Sequence, residues 1–96
     1  MPNHERVEQE LAALLRASRT TLIVQVDIIR GYRRGVVDRD RAREAAHRLA
    51  GTLGLFGFGE LGLSASRIER DLESGAVSSG GSFDEFIERA TDLLSD

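Results

Sequence analysis

The sequence predicts an all-α domain, an antiparallel four-helix bundle with an additional N-terminal helix, and three observations carry that prediction. Apolar residues recur at three- and four-residue intervals in every long segment. The one run rich in β-branched residues has no second strand-like run to pair with. The links between segments are short and punctuated by glycine, aspartate or serine. A chain of 96 residues has room for one such core, so residues 1–96 read as a single domain.

Taken in order, Asn3 caps a first helix with an apolar stripe of Val7, Leu11, Leu14 and Leu15, and Glu5, Glu8 and Glu10 lie towards its positive N-terminal end. His4, close to the terminus among charged residues, reads as solvated surface. Thr20 to Tyr32 would pass as a strand by propensity. Its Leu22, Val26 and Ile29 nevertheless keep helical spacing, with Val24 and Ile28 as a second strip, which predicts a helix buried on two sides and ended by Gly31 and Gly35. Asp38 caps the next helix, with Val37 as a hydrophobic staple on Ala42, and this helix runs to about Phe56. Phe58, Leu61, Ala65, Ile68 and Leu72 mark a further amphipathic helix. Gly75 to Gly81 reads as a loop, and Ser82 with Glu85 as the capping box of a last helix whose Phe83, Phe86, Ile87, Ala90, Leu93 and Leu94 face inward. A bundle of this kind does not specify a function.

Composition removes whole classes of function. The net charge of −3 argues against a nucleic-acid partner, which needs a basic face. The absence of cysteine excludes disulfides, thiolate metal sites and a cysteine nucleophile, and suits a reducing cytoplasm. The most apolar run, Leu22 to Ile29, is interrupted by Gln25 and Asp27 and is far short of the roughly 20 residues a membrane span requires. A soluble, monomeric, cytoplasmic domain is expected.

The stretch Ala45 to Gly57 combines helical spacing with many glycines. Ala42, Ala45, Ala46, Leu49, Leu53 and Phe56 gather on one side, and His47 falls on the other with Arg43, Glu44, Ala50, Gly51 and Gly54. A glycine inside a helix costs about 1 kcal/mol relative to alanine, so these glycines point to something approaching His47. A lone histidine is most often surface or satisfied core, and the alternatives of a metal ligand or a triad member lack support. No second histidine lies one turn away, Glu44 is the nearest carboxylate, and Ser18, Ser64 and Ser66 bear no fixed relation to the histidine. What remains is a solvent-facing imidazole on a rigid helix with bare backbone around it, suited to use as a nucleophile by another protein.

Ala46-His47-x-Leu49-x-Gly51-Thr52, with Gly57 ten residues after the histidine and Ile68-Glu69 on the next helix, resembles the histidine-containing phosphotransfer (HPt) domain of multistep two-component phosphorelays. The resemblance implies that His47 accepts a phosphoryl group from a receiver domain's aspartyl phosphate and passes it to another receiver. Near neutral pH much of an imidazole population keeps a free lone pair for such an attack. It also implies no intrinsic cofactor or metal, Mg²⁺ supplied by the receiver, no kinase activity of its own, and receivers or a hybrid histidine kinase as partners. Gly51 keeps the position that would cover the imidazole empty, and Gly54 extends the cleared surface. Glu44, Leu55 and Phe58 border that surface as candidate docking residues, although Phe58 also begins a core stripe. The family usually has lysine where this chain has Ala50, which bears on the efficiency of transfer or the stability of phosphohistidine. Arg48 and Arg43 are the cations nearest in sequence that could compensate. A second reading, prompted by that lost lysine, is an unphosphorylated module that docks a receiver or histidine kinase.

Overall fold

The computed structural model describes residues 2–75 and 80–95, with side chains for residues 9, 10, 13, 16–75 and 83–95. Four helices follow one another, α1 (Pro2–Arg33), α2 (Arg39–Leu55), α3 (Gly59–Ser74) and α4 (Gly80–Leu94), and no strand occurs among the described residues. α1 packs against α2 and α4, and α3 packs against the same two helices, which closes a four-membered ring around the core.

The side-chain bonds between helices fix their directions. Arg19 Nε donates to the Leu94 carbonyl at 2.8 Å, Arg30 to Thr91 Oγ1 at 2.9 Å and Arg33 to Asp84 at 3.3 Å, so α4 descends as α1 rises. The same reversal relates α3 to α4 through Arg89 and Glu60 at 3.4 Å. Neighbours are therefore antiparallel, as short connections require.

One helix stands where the sequence predicts two. α1 runs unbroken over 32 residues, so Thr20–Tyr32 and the N-terminal segment are one element and a separate N-terminal helix is not seen. Arg16 to Thr20 contain neither glycine nor proline to stop the helix. A helix of that length spans about 48 Å, which accounts for the long dimension of the 51 × 20 × 20 Å molecule. The proposed cap Asn3, His4 and the stripe residues Val7, Leu11, Leu14 and Leu15 lie outside the described side chains.

Burial decides the β-branched run in favour of helix. Leu22, Val26 and Ile29 are all buried, and of the second strip Ile28 packs against the core while Val24 is exposed, so the second side is covered only in part. α1 has only two neighbours in the ring, α2 and α4, and Val24 is left 47% exposed. Gln25, flanking the core stripe, is buried with Val26. Gly31 does not end α1. A Cβ there would lie 2.6 Å from Val37 Cγ2, so its bare Cα is the seat into which Val37 folds. The chain turns instead at Gly35, whose φ of +80° is the left-handed region.

α2 starts as its sequence requires. Asp38 is extended at φ −75° and ψ 163°, and its carboxylate accepts from the Arg41 amide at 2.8 Å, satisfying one of the free N–H groups of the first turn. Ala42, Ala45, Ala46, Leu49 and Leu53 are buried, and the three alanines let α2 sit close to the centre. At its end the Phe58 amide donates to the Leu53 carbonyl at 2.9 Å around Gly57, whose φ is +86°. Gly57 is thus the turn that sends α3 back along α2.

Leu61, Ala65, Ile68 and Leu72 of α3 and Phe83, Phe86, Ala90 and Leu94 of α4 complete the core. α4 begins at Gly80, before the expected cap Ser82, whose side chain lies outside the described residues. Of the expected loop, Gly75 ends α3 in a left-handed conformation and residues 76–79 lie outside the described residues.

Candidate functional site

α2 and α3 form the closest helix pair, and their register is symmetric about Phe58. Arg43 faces Glu73, His47 faces Glu69, and Gly54 faces Gly62. Phe58 precedes the first turn of α3 and packs against the core, which anchors the axis of that symmetry.

His47 projects to solvent with 72% of its side chain exposed, while Glu69, 19% exposed, rises from the seam beside it. Glu69 Oε2 lies 2.9 Å from His47 Nδ1. An ionised carboxylate can only accept, so in the neutral ring this contact favours the tautomer with the hydrogen on Nδ1 and the lone pair on Nε2. Such a contact fixes both the tautomer and the ring orientation, and it sets a negative charge against a ring that becomes positive when Nε2 reacts.

The surroundings of the ring sort into open and closed positions. A Cβ at Gly51 or Gly54 would meet nothing within 4 Å, so neither glycine is demanded by contact at its own Cβ position. Ala50, expected on the cleared face, is partly buried and packs against the core at the α3 seam. It lies 100° from the fully buried Leu49, which turns it towards α3 rather than outward. Leu55 is 77% exposed and flanks the open face, but Phe58 is partly buried, so of the expected apolar docking residues only Leu55 is available at the surface.

Both candidate cations are engaged with carboxylates. Arg48 donates to Glu44 at 2.9 Å, one turn apart on α2, and Arg43 lies 4.0 Å from Glu73. Glu44, expected at the docking surface, is thus engaged by Arg48. Among the described residues no three histidine, aspartate or glutamate side chains come together to hold a metal ion, and no helix is long and apolar enough to cross a membrane.

Two residues that matter here were given no site role from the sequence. Glu69 was visible only as part of the Ile68-Glu69 pair, and Gly62 only as a small residue near the start of α3. The signal for both was the turn at Gly57, since folding the chain back there puts Glu69 opposite His47 and Gly62 opposite Gly54.

A four-helix bundle that presents an exposed histidine from α2, backed by a carboxylate and bare backbone, defines a helical histidine-bearing module with an open surface site rather than an enclosed one. The Hpt domain family model matches residues 4–96, and the chain belongs to that family. Hpt domains are phosphotransfer modules of two-component phosphorelays, which act with receiver domains and kinases as phosphocarriers rather than enzymes. Neither the curated proteins nor the solved structures contain a match.

Proposed function

We propose that this domain carries a phosphoryl group on His47 Nε2, taking it from the aspartyl phosphate of one receiver domain and giving it to the aspartate of another. The observation that supports this reading most is the Glu69 contact to Nδ1, because it leaves the outward nitrogen with a free electron pair.

In the forward step the Nε2 lone pair attacks phosphorus, the N–P bond forms, and the P–O bond to the receiver's carboxylate breaks with the electrons leaving on that oxygen. No proton has to move, because Nδ1 already holds the ring's hydrogen. The ring becomes cationic and the Glu69 carboxylate stabilises it. In the return step an acceptor carboxylate attacks phosphorus and the N–P bond breaks, restoring the neutral imidazole.

Charge on the transferring phosphoryl oxygens needs cations. Ala50 stands where the family has lysine, and the neighbouring Arg43 and Arg48 lie against Glu73 and Glu44. The receiver supplies the Mg²⁺ and the lysine in this reading. The exposed Leu55 and the bare face at Gly51 and Gly54 admit its active-site loops. The domain acts as a cytoplasmic, monomeric carrier and has no kinase activity of its own. A docking module that had abandoned transfer would have no use for a tautomer-fixing carboxylate on an exposed histidine, which separates the two readings.

The test incubates the protein with Mg²⁺ and a panel of phosphorylated receivers and measures acid-labile, alkali-stable label. Label is expected on the native chain and is expected to be absent from His47→Gln. An unlabelled native chain across the panel, or label that persists in His47→Gln, overturns the carrier function.

A further inference from the structure

Gly62 is buried on the α2-facing side of α3, seven residues before Glu69 and therefore close to two turns below it on the same side of the helix. A Cβ at this position would lie 3.2 Å from the Ala50 carbonyl oxygen, 3.3 Å from the Gly54 amide nitrogen and 3.7 Å from Gly54 Cα. All three are backbone atoms of α2, which cannot rotate aside as a side chain would. The first two distances are tighter than an ordinary van der Waals contact, so a methyl group here acts on the helices themselves. Gly59, at the start of the same helix, has nothing within 4 Å of its Cβ position.

We propose that Gly62 is a positioning residue for phosphoryl transfer, its missing side chain setting the spacing of α2 and α3 at which Glu69 reaches His47 Nδ1. The proposal rests on the reading of His47 as the phosphoryl carrier. Glu69 approaches from the neighbouring helix, so the 2.9 Å contact depends on how close the two backbones lie. The seam beneath it is built from Ala50, Gly54 and Gly62, with Ala46 buried on the α2 side and Ala65 on the α3 side. A larger residue at Gly62 moves α3 outward at the point where the helices touch, and Glu69 is carried with it. The effect on chemistry passes through the tautomer, because an imidazole without the carboxylate no longer keeps its hydrogen on Nδ1.

The experiment measures the tautomer of His47 directly, by nitrogen-15 NMR of histidine-labelled protein at alkaline pH, where the ring is neutral. The native chain is expected to hold its hydrogen on Nδ1. Gly62→Ala is expected to shift His47 towards the mixture of a free imidazole, as Glu69→Ala does, whereas Gly59→Ala keeps the native signature. Glu69→Asp, one methylene shorter, is expected to lose the preference too. It tests the spacing even if Gly62→Ala fails to fold.

Transfer from a phosphorylated receiver is expected to slow on the order of tenfold in Gly62→Ala, with no further loss when that change is added to Glu69→Ala. A native tautomer in folded Gly62→Ala, a native tautomer in Glu69→Asp, or an equal slowing in the Glu69→Ala background overturns the role of Gly62. Failure of the native chain to accept phosphate at all strikes the carrier function instead, and the tautomer measurements then decide Gly62 by themselves.

Discussion

Replacing Glu69 with alanine removes the carboxylate bonded to the imidazole and is expected to leave the bundle folded. The contact is a 2.9 Å bond between a partly buried carboxylate and an exposed ring. Hydrogen bonds to charged groups contribute about 1.5–3 kcal/mol, and exposed ion pairs about 0–1 kcal/mol. With His47 72% exposed, solvent screens the pair in the ground state, so its contribution to folding lies at the lower end. In the transition state the ring gains positive charge beneath a docked receiver that excludes water, and the same bond strengthens. A loss of about 1–2 kcal/mol there corresponds to a roughly 5- to 30-fold slower transfer. The assay is single-turnover phosphorylation of Glu69→Ala by a phosphorylated receiver, alongside thermal melting by circular dichroism. Transfer within twofold of the native rate, with a native melting curve, would refute the role assigned to this carboxylate.

Gly51→Leu adds a side chain into open space and raises helix propensity, so the melting temperature is expected to rise while transfer falls by more than tenfold as the leucine leans over His47; normal transfer by this variant contradicts the cleared-face argument. Ala50→Lys restores the family's usual cation, its stem lying along the partly buried seam and its ammonium reaching water. Faster transfer or slower loss of phosphohistidine is expected, and rates unchanged in both directions would show that the receiver's own cations suffice. Leu55→Glu, at a 77% exposed position, is expected to leave folding within about 0.5 kcal/mol and to weaken receiver binding on the order of tenfold, measured by calorimetry. Unchanged binding would remove Leu55 from the docking surface.

Much of this architecture is legible in the sequence because its helices obey simple rules. The α2 cap at Asp38, the turn at Gly57 and the core stripes of Leu61 to Leu72 and Phe83 to Leu94 follow from residue type and spacing. The division of α1 into two helices does not survive, because a change from a charged to a β-branched stretch alters propensity without breaking the hydrogen-bond ladder. The exposure of Val24 could not be read from spacing, since it depends on how many neighbours α1 has.

The site divides in the same way. His47 and the empty space over Gly51 come from the pattern of a single helix. The partial burial of Ala50 is not legible in the sequence, because a residue 100° from the core on a helix wheel faces solvent or a neighbouring helix according to where that neighbour sits. Glu69 and Gly62 belong to contacts between helices, and their roles emerge only from the register about Phe58.

The most direct measurement is the nitrogen to which phosphorus binds. Histidine-labelled protein, phosphorylated through a receiver and examined by phosphorus and nitrogen-15 NMR, is expected to show the phosphoryl group on Nε2 of His47 with the hydrogen still on Nδ1. A phosphoryl group on Nδ1, or on any residue other than His47, would contradict the assignment of Nε2 as the nucleophile.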